Sequence, residues 1–162
     1  MAVMDAFVDR LDPDMCLVTA VARGERAGCL VGFASQCSMR PVRFVVWLSE
    51  LNDTFRVARS AEFLAVHLLT RDQHDLAALF GGHTGDEEDK FRDVALREAY
   101  GGAVVLEDAA AWFVGRIVTR CGGGDHIGFV LDPVERGGRT CDARPLMRLS
   151  DTLDIAPGHP VD

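Results

Sequence analysis

The architecture this sequence predicts is a small antiparallel β-barrel with short helices packed on it. Three observations lead there. Strand-like apolar runs dominate the chain and the helical runs are short. The strands do not alternate regularly with long helices, which disfavours a doubly wound parallel sheet and leaves a closed or nearly closed antiparallel one. The length of 162 residues suits one domain. A domain of that size buries about two-thirds of its unfolded surface and needs no disulfide or metal staple.

The elements follow in order. Met4, Phe7, Val8 and Leu11 recur at helical spacing, so residues 4–11 read as a short amphipathic helix that stops at Asp12-Pro13. Residues 15–22 and 27–34 are two apolar runs joined by Arg23-Gly24-Glu25-Arg26, a hairpin signal. After Pro41, residues 44–48 form a continuous apolar, β-prone run suited to a strand buried on both faces. Residues 49–53 are a polar loop, in which Asn52 or Asp53 caps a helix from Thr54 to about Ser60. Residues 63–69 read as a strand, and Asp72 as the cap of a helix through Leu76, Leu79 and Phe80. Residues 81–89 are glycine-rich and acidic, a surface loop. Residues 111–121 and 126–134 form a long antiparallel pair around Gly122-Gly123-Gly124. The core is expected over 14–150, with 151–162 as a loose tail of the same single domain.

Composition narrows the function. The net charge of -8 argues against a nucleic-acid partner or a polybasic contact with membranes, since both need cations against phosphates. Lys90 is the single lysine among 17 basic residues, a bias that matches GC-rich coding. The cysteines, at 16, 29, 37, 121 and 141, are odd in number and lack CxxC spacing. With the five histidines they give no zinc pattern, so no metal is expected. The first ten residues carry Asp5 and Asp9 and no basic leader, and no run of eighteen apolar residues occurs. A cytoplasmic protein without a membrane span is the expectation.

No P-loop, GxGxxG, HExxH or GxSxG is present. Three features can carry chemistry, and each also has an ordinary structural reading. Residues 28–41 end a strand in small and hydroxyl residues, with Gly32 permitting close backbone approach and Ser35 and Ser38 offering hydroxyls. Residues 49–54 lead into a helix whose free N–H groups suit an anion, with Arg56 or Arg59 nearby, or are simply a capped helix. His126 follows a glycine turn at the start of a strand, from which it could reach a neighbouring site or lie on the surface.

Taken together and in this order, these segments resemble the flavin reductase family with the FMN-binding split-barrel fold. The family's G-x-T-A/V-N/S-S-F-x-S-x-S-x-x-P-P segment aligns with residues 28–41 without a gap, and its S-x-T loop falls at Asn52-Asp53-Thr54. Residues 63–69 match its F-A-V-N-L-L strand and residues 73–80 its Q-x-x-L-A-x-x-F helix. Lys90-Phe91 matches K-F, and Gly124-Asp125-His126 matches G-D-H. The resemblance spans residues 16–134.

The resemblance implies a mainly β, Greek-key-like split barrel and a homodimer with FMN or FAD near the subunit interface. It implies NAD(P)H as reductant and a possible flavin-dependent monooxygenase as partner. Position by position, Leu30, Val31, Gly32 and Phe33 lie along the flavin ring, and Ser35 and Ser38 complete that wall. Leu48 and Ser49 fall among the flavin contacts. Asn52, Asp53 and Thr54 hold the phosphate, Phe80 and Gly81 lie near the phosphate or ribityl tail, and Lys90 reaches the phosphate or the FAD dinucleotide. His126 lines the nicotinamide side as a positioning group with a modest role in catalysis. The chain departs from the family at Leu30, Gly32 and Phe33, where polar side chains are replaced, and at Val42, which stands for the second proline. A flavin- or haem-binding split barrel without turnover is the alternative.

Overall fold

The computed structural model describes residues 5–82, 89–139 and 143–156. Nine strands and three short α-helices alternate as α1 (Asp5–Val8), β1 (Cys16–Ala22), β2 (Glu25–Val31), β3 (Ala34–Met39), β4 (Val42–Ser49), α2 (Asp53–Ala58), β5 (Phe63–Leu68), α3 (His74–Gly82), β6 (Leu96–Glu98), β7 (Val104–Leu106), β8 (Ala111–Gly122) and β9 (His126–Gly138) among the described residues. Seven of the strands form one antiparallel sheet in the order β2-β1-β5-β8-β9-β4-β3, while β6 and β7 form a separate ribbon. The two edge strands, β2 and β3, are consecutive in sequence. The sheet therefore curls until β2 lies against β4, with Gly32 and Phe33 as the only residues between its edges.

The hairpin of β1 and β2 is tighter than its polar run suggests. Glu25 and Arg26 pair with Ala22 and Val21, leaving a two-residue turn of Arg23 and Gly24 at φ 54° and 77°. Both lie in the left-handed region that a two-residue hairpin turn requires. Side chains then alternate between two cores. Cys16, Val18, Ala20, Leu64 and Val66 face the inside of the curl with Val46, Leu48, Phe129 and Leu131, and α2 adds Val57 and Ala58. Met15 and Leu17 face outward into a second cluster with Phe80 of α3, Phe91 and Met147. The β6–β7 ribbon is sewn to this outer face by a Thr19 hydroxyl that donates to Val104 O at 2.6 Å.

Several expectations change. The run 27–34 is not one strand arm: β2 ends at Val31, and β3 is a separate strand where a polar turn was read. An edge strand with Ser35, Gln36 and Cys37 exposed carries no apolar alternation to reveal it. Burial on both faces belongs to β1 and β5 rather than to β4, whose Trp47 is only half-buried. The described part of α1 exposes Phe7 and Val8, with Leu11 exposed beyond it. Asp72 does not cap α3. Its carboxylate takes the Thr70 hydroxyl and Arg144, and the helix begins after Gln73. The packed chain runs past residue 150, since Thr152 is buried and Ile155 packs against the outer core. Residues 1–4, 83–88, 140–142 and 157–162 lie outside the described part, and with them Met4, Cys141, most of the acidic loop and the end of the tail.

Candidate functional site

Two clefts lie along β2. One, of about 330 Å³, is walled by Leu30 and Cys29 of β2, Asn52, Phe80 and Gly81 of α3, and the carboxy-terminal residues Leu149, Thr152, Leu153 and Ile155. The other, of about 320 Å³, is walled by residues 24–28, by Asp53, Thr54 and Arg56 of α2, and by Asp89, Lys90 and Phe91. β2 and the start of α2 border both, while α3 walls only the first and residues 89–91 only the second. The first cleft is mostly apolar and the second mostly polar by residue type.

Local packing sets this geometry. A Cβ at Gly28 would stand 2.9 Å from the Phe80 ring, so only glycine lets α3 approach β2 so closely. Lys90 is buried and donates from Nζ to Gly28 O and Phe80 O, 3.1 Å each, tying the two walls together. Asn52 caps α2 through Oδ1, which accepts from Thr54 N–H at 2.9 Å. Thr54 itself is buried. Its hydroxyl neighbours Cys29, whose thiol burial pushes up to about 11, partly offset by Thr54 and Lys90. Arg56 binds Asp53 at 2.8 Å and also Glu25, and the second contact holds the Glu25 carboxyl below its ordinary range. Arg56 thus shares its one charge between Asp53 and Glu25 at the edge of the cleft.

A third cleft, of about 280 Å³, is lined by Phe33, Trp47, Gly123, Asp125 and His126. It lies where the curl closes, because Phe33 links β2 to β3 and Ser49 pairs with His126 across β4 and β9. Ser49 also accepts from Leu51 N–H at 3.3 Å, shaping the loop into α2.

The candidate residues therefore divide. Leu30, Asn52, Phe80 and Gly81 share the apolar cleft, while Asp53, Thr54 and Lys90 share the polar one. Phe33 and His126 share the third. Val31 and Leu48 point into the inner core, so only their main chain can face a ligand. Gly32 packs beside Met15, and Ser35 and Ser38 stand on the edge strand away from all three clefts' linings. Sequence reasoning missed Trp47 and the carboxy-terminal wall. The apolar Leu149, Leu153 and Ile155 in an otherwise polar tail were the available signal.

The Flavin reductase like domain model matches residues 9–153. The chain belongs to the flavin reductase-like family. Among family relatives, it is 26% identical over 121 residues to a ferric-chelate reductase (NAD(P)H) of Archaeoglobus fulgidus, covering 74% of this chain and 72% of that one. It is 29% identical over 119 residues to the FMN reductase (NADH) RutF of Methylorubrum extorquens, covering 74% and 59%. It also matches a much longer Nostoc sp. sequence named for a diflavin flavoprotein, at 28% identity over 131 residues, and spans only 23% of that length.

Solved structures share the split barrel. An FMN-binding protein of Thermus thermophilus with bound p-hydroxybenzaldehyde superposes with a TM-score of 0.78 at 23% identity, over 86% of this chain and 79% of that one. A Streptomyces globisporus NADH:FAD oxidoreductase with NAD and FAD fragments gives 0.78 at 20% identity, over 90% and 85%. Among the described residues no helix is long and apolar enough to cross a membrane, and no group of three His, Cys, Asp or Glu could hold a metal ion.

The family's flavin can be tested against these residues. A flat apolar ring with a polar, anionic tail needs apolar and polar surface along one strand, and β2 supplies both, with Cys29 and Leu30 in the apolar cleft and residues 25–28 in the polar one. Arg26, Arg56 and Lys90 in the polar cleft offset Glu25, Asp53 and Asp89, so its lining carries no net negative charge against a phosphate. The residues present fit.

Proposed function

We propose that this chain is an NAD(P)H-dependent flavin oxidoreductase that holds FMN or FAD along β2. The observation that carries this is the paired cleft, apolar then polar, with the Phe33–His126 cleft at the end of the same strand. The chemistry such a cofactor supplies is acceptance of a hydride from reduced nicotinamide. The protein contributes binding, orientation and electrostatics.

Each residue then has a task. The main chain from Leu30 to Phe33 follows the ring, while Ser35 and Ser38 on β3 and the Leu48 side chain in the inner core stand away from it and Ser49 shapes the loop into α2. Leu30 and Phe80 supply apolar surface, and Gly81 gives room for the tail. Asp53 and Thr54 hold the phosphate through the Asp53 main-chain N–H and the Thr54 hydroxyl, on a turn that Asn52 shapes by capping α2, because Arg56 is engaged by two carboxylates. Lys90 sets the spacing of the two walls beside that tail. His126 orients the nicotinamide. Polar side chains at Leu30, Gly32 and Phe33 are absent, so ring recognition rests on the backbone. A homodimer completes the site, the protein works in the cytoplasm, and its reduced flavin serves a flavin-dependent monooxygenase.

FMN and FAD are added separately, and loss of NADH and NADPH absorbance is followed. Fast oxidation with one flavin is the expected result; no binding of either flavin by fluorescence quenching refutes the proposal. His126→Ala slows turnover with little change in flavin affinity. A flavin- or haem-holding protein without turnover is the second reading, favoured by the same apolar Leu30 and Phe33. Tight ligand binding without nicotinamide oxidation would select it.

A further inference from the structure

A fourth cavity, of about 330 Å³, opens inside the curl at the start of β4 and β8 and towards the end of β9. That is the far end of all three strands from the Phe33–His126 cleft, and the opposite face of the sheet from the cleft at Leu30. Cys16, Phe44, Val66, Leu68 and Phe113 line it, and all five belong to the inner core or pack against it. The Phe44 and Phe113 rings meet edge to face, with centroids 5.4 Å apart and planes at 73°. Burial pushes the Cys16 thiol up to about 12, so it stays neutral. No carboxylate lines the cavity, and its one charged residue is Arg136.

Sheet register puts that arginine there. Val66, Phe113 and Arg136 stand opposite one another across β5, β8 and β9. Opposite residues of antiparallel strands present their side chains on the same face, and Val66 fixes that face as the inner one. Arg136 thus takes an inward position of the kind that Phe129 and Leu131 hold earlier in β9. It is exposed at the rim, and among the described residues no carboxylate pairs with its guanidinium. A hydrated cation at the lip of an apolar cavity complements a ligand with an apolar body and one anionic end. The planar guanidinium fork matches a carboxylate through two parallel hydrogen bonds, and the Phe44 and Phe113 ring edges suit an aromatic body. We propose that this cavity is a binding site for a small aromatic carboxylate, its ring among Phe44, Val66 and Phe113 and its carboxylate on Arg136. The site does not rest on the flavin reading, since it shares no lining residue with the other three clefts.

The test is a protein-observed NMR titration of the whole chain with benzoate, benzamide, hexanoate and acetate. Benzoate shifts the amide signals of Cys16, Val66 and Phe113 to saturation and binds about tenfold more tightly than benzamide, its neutral isostere. Hexanoate and acetate, which carry the charge without the ring, bind more weakly than benzoate. Arg136→Gln, at an exposed position, keeps the fold and brings benzoate down to the benzamide level. Equal affinity for benzoate and benzamide overturns the proposal, as does a preference that survives Arg136→Gln, or hexanoate binding as tightly as benzoate. Shifts confined to the clefts along β2 overturn it too. So does benzoate binding that weakens as the protein associates at higher concentration, because a second copy then covers the mouth.

Discussion

His67 makes the fold acid-sensitive by a calculable amount. It is fully buried on β5, and Leu106 N–H donates to its Nε2 at 3.1 Å. That nitrogen is therefore the lone-pair one, so Nδ1 carries the hydrogen and donates to Leu17 O at 2.8 Å. Burial disfavours the cation and lowers the pKa from 6.5 to about 4, with the Leu17 bond opposing slightly. Above pH 6.5 both folded and unfolded chains hold a neutral ring, and the contribution is fully present. As pH falls from 6.5 towards 4, only the unfolded chain gains a proton, so stability is lost. Linkage gives a loss of about 2 kcal/mol at pH 5 and about 3 kcal/mol below pH 4. For a domain of this size the loss at pH 5 is about 4–8 °C in Tm. His74 has the opposite sign, because its Asp154 contact raises its pKa and favours the folded state as pH falls. The assay is thermal unfolding at pH 7.5 and pH 5 for the unmodified protein and His67→Gln, so that every other group cancels in the difference. Equal drops in Tm for the two proteins would refute the reasoning.

Three further outcomes are expected. Lys90→Met leaves Gly28 O and Phe80 O without their donor and lowers stability by about 2–4 kcal/mol in urea unfolding. Gly28→Ala forces a Cβ into the Phe80 ring 2.9 Å away and costs about 1–3 kcal/mol, visible as a lower Tm. Thr54→Ala removes the hydroxyl at the polar end of the paired cleft and weakens flavin affinity about tenfold by fluorescence quenching; unchanged affinity would take Thr54 out of the phosphate's reach.

The strands with two buried faces, β1 and β5, and the long β8–β9 hairpin were legible because continuous apolar runs bounded by glycine, proline or polar residues admit few alternatives. β3 was not, since an edge strand faces solvent and carries polar residues. β6 and β7 were too short to show a period, and their placement depends on Thr19 and His67, far away in sequence. At the site, the Asn52 cap was readable from residue type. The assignment of Lys90 to two carbonyls was not, because it depends on how closely α3 packs against Gly28. The wall at Leu149–Ile155 was hidden by a tail whose prolines and glycine masked its three apolar residues.

That wall has a thermodynamic consequence. The paired cleft is assembled from residues as far apart as Gly24 and Ile155, so it does not exist in any short stretch of the unfolded chain. Whatever fills it selects the folded ensemble alone, and at a hundred times its Kd adds about 2.7 kcal/mol to global stability. Occupancy of the groove and persistence of the fold are one coupled equilibrium. A melting curve run against candidate cofactors therefore reads out binding directly, without any turnover.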